Sequence, residues 1–101
     1  MNSLEEHNRL LKQFEEIIGT IEGELASIAD LKVKSVMLFT LKEVKQFVYH
    51  GEESLAFELL CSNMYEVNYP LSQSLYDKIF DLAKDWSGGE EYLAYLKKIV
   101  K

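Results

Sequence analysis

Few side chains in this sequence have the types and spacing that chemistry requires. The two histidines, His7 and His50, have no second histidine or cysteine three or four residues away. His50 precedes Gly51, Glu52 and Glu53, which are ligand types for a metal. The plainer reading is a basic residue closing one helix and acids opening the next. Cys61 stands alone, with no neighbouring histidine or cation to lower its thiol pKa, and reads as a structural core thiol. Asp77, Asp81 and Asp85 recur every four residues, whereas a calcium loop needs acids at alternate positions around a glycine turn. Paired carboxylates for glycoside hydrolysis would also need a cleft, which a small bundle rarely offers. No H-E-x-x-H, C-x-x-C, G-x-x-x-x-G-K or G-x-S-x-G pattern occurs. The expectation is a protein that is not an enzyme and holds no cofactor or metal.

Composition narrows the partner. The 101 residues suffice for one domain, and 48% apolar with 28% charged residues is a globular balance. Eleven Lys and Arg against 17 Asp and Glu leave a net charge of −6. Such a chain repels phosphate backbones, so a basic protein partner is favoured over nucleic acid. One cysteine excludes an internal disulfide framework and fits a reducing compartment. The opening Met-Asn-Ser-Leu-Glu-Glu-His lacks the basic and apolar regions of a secretory signal. The longest apolar run, Val36 to Phe39, is far too short for a bilayer. A soluble cytoplasmic protein without membrane contact is expected.

The elements that would position these residues are helices. From Leu4, apolar residues keep a seven-residue rhythm: Leu4, Leu11, Ile18 and Leu25, with Phe14, Ile21 and Ile28. Leu10 and Ile17 broaden the seam, which favours a globular bundle over a dimeric coiled coil and a monomer slightly over a homodimer. Ser3 and Glu6 form a capping box, and Gly19 and Gly23 mark a bend or a fray. Asp30 to His50 reads as a second helix with three possible starts: Asp30, Ser35, or a Thr40/Glu43 capping box. Within it Val36 to Phe39 is helix, although a buried connector or short strand also fits. Gly51 suits the position just beyond that helix.

The third helix, Glu52 to Glu66, is apolar over most of its circumference, from Leu55, Ala56 and Phe57 through Leu59, Leu60, Cys61 and Met64, with Val67 beyond it. It is therefore expected in the middle of the bundle. Only a narrow sector remains polar, holding Glu58, Ser62 and Tyr65, with Glu66 at its edge. After Pro70, Ser72 caps a fourth helix that buries Leu75, Ile79, Leu82, Ala83 and Trp86, with the aspartates about 145° away. Ser87-Gly88-Gly89 turns the chain, Ser87 pairs with Glu90 in a capping box, and the last helix turns Leu93, Leu96 and Val100 inward. Lys97, Lys98 and Lys101 lie at its negative end. The fold class is all-α, a single bundle of about five helices.

One stretch is more specific. His50-Gly51-Glu52-Glu53-Ser54-Leu55-Ala56-Phe57-Glu58-Leu59-Leu60-Cys61 continues through Asn63-Met64-Tyr65-Glu66 to Tyr69-Pro70-Leu71-Ser72. It resembles the MafI-type bacterial immunity proteins, related to the CdiI proteins of contact-dependent growth inhibition. The shared pattern is a Gly-Glu helix opening, an Ala-x-Glu-Leu-Leu core, a Tyr-Glu pair and a Pro-hydrophobic-Ser helix entry, over roughly residues 41 to 83. The resemblance implies an antitoxin that neutralises, in the cytoplasm, a toxin domain delivered by a neighbouring cell, commonly a nuclease and often a ribonuclease. None of the matching residues is catalytic.

Two surfaces are candidates for meeting that partner. One is the polar sector Glu58, Ser62, Tyr65 and Glu66. The other is the stripe Asp77, Asp81 and Asp85, which reads first as a solvated helix face, although its like charges four apart repel and gain a reason if a basic partner covers them. Tyr65, Tyr69 and Tyr76 would supply aromatic anchors. The competing readings are a generic helical adaptor that takes a peptide helix in a groove, and a small metal protein or enzyme.

Overall fold

The computed structural model describes residues 3–84, 86 and 88–101. Five helices follow one another: α1 (Ser3–Leu25), α2 (Leu31–Tyr49), α3 (Glu53–Glu66), α4 (Gln73–Ala83) and α5 (Gly89–Lys97). The chain is the all-α bundle expected, and no described helix is long and apolar enough to cross a membrane. The capping roles expected of the Ser3 side chain and of Ser87 fall outside the described residues.

The helix ends follow local chemistry. Asp30 starts α2: its carboxylate accepts from the backbone N–H groups of Lys32 and Val33, at 2.9 and 3.2 Å. Thr40 is no cap. It is buried in mid-helix, where its hydroxyl donates to the Val36 carbonyl. Residues 36–39 are helical throughout, and α1 runs unbroken through Gly19 and Gly23. Ser72 caps α4 by accepting from Leu75.

Both α2 and α3 stop in the same way. Beyond α2 the N–H of Glu52 donates to the Phe47 carbonyl and that of Gly51 to Val48, with Gly51 at φ 77°. Beyond α3, Tyr69 donates to Met64 and Asn68 to Tyr65, with Asn68 at φ 52°. These are two Schellman closures, each needing a residue that tolerates the left-handed region.

The helices close into a ring: α1 packs on α2 and α4, α2 on α3, α3 on α5, and α5 on α4. The core lies inside it, built from residues such as Phe14, Ile21, Met37, Leu60, Leu75 and Leu96. So α3 is one wall and not the centre. Its apolar arc is narrower than its composition suggests, because Leu55 is exposed and Leu59 only half-buried. Leu4 is also exposed, since it precedes the turn of α1 that the other helices cover. After α5 the chain tightens, with the N–H groups of Lys98 and Ile99 donating to the Tyr95 and Leu96 carbonyls. Ile99 becomes the buried residue, and Val100, half-buried, forms a lone parallel bridge to Leu71, with Lys101 N–H donating to the Leu71 carbonyl. Trp86 is half-buried, just beyond α4.

Candidate protein-binding surface

The ring fixes which sequence candidates meet. Two of the four polar-sector residues of α3 meet α5, Glu58 through Tyr92 and Tyr65 through Tyr95. Tyr65 is exposed and packs on Tyr95 of α5, ring centroids 5.4 Å apart. The Tyr92 hydroxyl donates to Glu58 at 3.0 Å, so Glu58 is half-buried instead of fully solvated. That hydrogen bond to a carboxylate pushes the Tyr92 pKa up. Ser62 and Glu66 remain exposed.

Aromatic rings run from this surface into the core. Tyr65 meets Tyr95, Tyr95 meets Tyr92, Tyr92 meets Phe57, Phe57 meets Trp86, and Trp86 meets buried Phe14. Tyr92, Phe57 and Trp86 also line a pocket of about 290 Å³ shared with Glu58, Glu91 and the Gly88-Gly89 backbone. Aromatic faces beside two carboxylates attract a Lys or Arg side chain through both cation–π and ionic terms. The Lys98 ammonium already stands 5.7 Å above the Tyr95 ring at the other end of the face.

The aspartate stripe lies elsewhere. It belongs to α4 at its border with α1, and α5 stands between it and α3 in the ring. Asp77 accepts from Gln73 at 2.8 Å. Asp81 accepts from Gln13 of α1 and pairs with Lys84 at 2.8 Å, and this lysine holds its carboxyl below the usual range. Asp85 lies outside the described residues. At Asp81 the repulsion read from the spacing is thus offset inside the chain.

One of the tyrosine anchors changes role. Tyr69 is fully buried, with its hydroxyl donating to Glu24 at 2.7 Å. It ties the α3–α4 connection to α1 and presents nothing outward. Tyr76 is half-buried beside Phe80 on α4.

The reactive types are equally occupied. His50 donates from Nδ1 to the Gln46 carbonyl at 2.8 Å and closes α2. His7, solitary along the chain, gains a partner in space: its Nδ1 donates to Glu53 at 2.6 Å, joining α1 to the start of α3. Cys61 is buried, which pushes its thiol pKa well up and away from nucleophilic use. Among the described residues no three His, Cys, Asp or Glu side chains converge as a metal site would require.

The sequence reading missed Tyr92, Tyr95 and Glu91. The available clue was the three-residue spacing of the tyrosines, which puts both on one side of α5. Compared with protein-family models, characterised proteins and solved structures, the chain gives no match.

Proposed function

We propose that this chain is an immunity protein of the MafI/CdiI type, which binds one toxin domain and masks its active or substrate-binding surface. The resemblance over residues 41–83 suggests the class. The observation that carries the surface is the α3–α5 face, where the Tyr65–Tyr95 pair stands beside Ser62 and Glu66 and leads to the carboxylate-and-aromatic pocket. A basic nuclease exposes the lysines and arginines that bind its substrate. Such side chains fit that pocket, and the tyrosines supply contact area at low entropic cost. The net charge of −6 favours the encounter.

The test is co-expression with the toxin domain encoded beside it, and kinetics on the purified pair. Protection from that toxin and from few others is expected. Tyr65→Ala should raise the off-rate, and Glu58→Gln with Glu91→Gln should slow association and flatten its salt dependence. Asp77→Lys with Asp81→Lys should have the smaller effect, because those carboxylates already have partners within the chain. Failure to protect against the adjacent toxin would sink the immunity reading. Protection with unchanged rates in the α3–α5 variants would move the interface elsewhere.

A further inference from the structure

The side of the ring opposite α5 is built differently. On α2, Leu31, Leu38, Phe39 and Tyr49 are all exposed, Tyr49 by 82%. Leu31, Leu38, Lys42, Lys45 and Tyr49 fall at helical intervals along one stripe. Beside them α1 contributes exposed Leu4 and half-buried Leu11. Between the two helices runs a groove of about 350 Å³, floored by Phe14, Ile18 and Val48. Lys45, Val48 and Tyr49 at the end of α2 line this groove with residues 11–22 of α1, and the short connection between Leu25 and Leu31 returns α2 along α1 in the opposite sense. Apolar surface collected on one face in this way marks a contact site.

Charge identifies the occupant. In a chain of net −6, α2 carries Lys32, Lys34, Lys42 and Lys45 against Glu43, a net of +3. Neighbouring α1 carries Glu5, Glu6, Glu15, Glu16, Glu22 and Glu24 against Arg9 and Lys12, a net of −4. Not every one of these charges lies on the face, since Glu16 pairs with Lys78 of α4 and Glu24 accepts from Tyr69, but Glu15 and Glu22 of α1 line the groove beside Lys45 of α2, with Lys45 and Glu22 joined at 2.8 Å. A surface of this kind is complementary to itself.

We propose that the α1–α2 face binds a second copy of this chain, giving a two-fold dimer in which α1 of each copy lies over α2 of the other. The symmetry axis runs along the helices. An axis across them would stack α1 on α1, acid on acid, and α2 on α2. The axis along them pairs opposite charges and makes an antiparallel four-helix contact closed over Leu38, Tyr49 and Leu11. The slight preference for a monomer rests on the broad seam of α1, most of which faces inward, whereas its Leu4 is exposed and its Leu11 borders the groove. This surface faces outward and lies on the other side of the ring from α3–α5, so a toxin-binding face stays open in the dimer.

Sedimentation equilibrium of the full chain at about 100 µM tests this directly. A dimer mass is expected at low salt. Lys42→Glu and Glu15→Lys, both at exposed positions, should each weaken association about tenfold or more, because each sets like charges against each other twice. Mixing the two variants in equal amounts should restore a dimer, since each supplies what the other lacks. Leu38→Asp should give a monomer that no mixing rescues, and helical circular dichroism should be unchanged in all three. A monomeric wild type overturns the proposal, and so does open-ended growth. A dimer indifferent to both charge reversals, or reversals that mixing fails to repair, overturns this geometry. None of these outcomes depends on toxin binding.

Discussion

The amide of Asn63 on α3 donates to the hydroxyl of Thr40 on α2, at 2.7 Å. Thr40 is fully buried, and its own proton goes to the Val36 carbonyl at 2.7 Å. The pair thus fixes the register of α2 against α3 with a polar contact whose buried threonine is satisfied. Replacing Thr40 by Val keeps the shape but leaves the Asn63 amide without its acceptor. A loss of about 1–3 kcal/mol is expected. Thr40→Ser should retain most of the stability. Urea denaturation of both variants checks this, and equal midpoints would show that the hydroxyl contributes nothing.

Three leucines of α3 separate composition from placement. Leu60 is fully buried, Leu59 half-buried and Leu55 exposed. Alanine should therefore cost about 2–5 kcal/mol at Leu60, roughly 1–2 at Leu59 and within about 0.5 at Leu55. Denaturant midpoints in that order support the ring, and a Leu55→Ala loss as large as that of Leu60 would place α3 at its centre after all.

The glycines divide in the same manner. A methyl at Gly19 or Gly23 meets nothing, whereas one at Gly89 would sit 2.8 Å from the Ala83 carbonyl oxygen. Gly19→Ala and Gly23→Ala should each stabilise the protein by about 0.5–1 kcal/mol, through helix propensity alone. Gly89→Ala should destabilise it by about 1–3 kcal/mol, because backbone must move. Thermal melting reads both signs. A stabilising Gly89→Ala would mean that α4 and α5 do not meet so closely.

High pH should unfold the protein earlier than carboxylate chemistry alone suggests. Burial, helped by the hydrogen bond to Glu24, raises the Tyr69 pKa above its ordinary 10.0, and burial raises that of Cys61 above 9.0. Both groups are neutral when folded, so their contribution is complete below those ordinary values. It falls as pH rises past them, because the unfolded chain releases protons that the folded chain keeps. Stability measured by denaturation from pH 8 to 11 should decline. Tyr69→Phe should remove part of that slope and, by losing its hydrogen bond to a carboxylate, cost about 1–2 kcal/mol at neutral pH. An unchanged slope in Tyr69→Phe would exclude Tyr69 as a source.

The five helices were legible because periodicity, caps and terminators are local. Ser72 and Gly51 act on backbone groups within a few residues, so their types mark the ends of elements, whereas the start of α2 had three candidates and the structure selects Asp30. The core character of Cys61 and the outward turn of Tyr65 were likewise visible along the chain. Which apolar residues stayed outside was not visible, since a helix wheel shows only that Leu55 and Leu60 are apolar. Whether a neighbour covers each depends on ring order, which no single helix encodes. The same limit hid the His7–Glu53 and Tyr69–Glu24 bonds, which join residues 46 and 45 apart. It also separated the Glu58 sector from the aspartate stripe, because α5 comes to lie between their helices only when the ring closes.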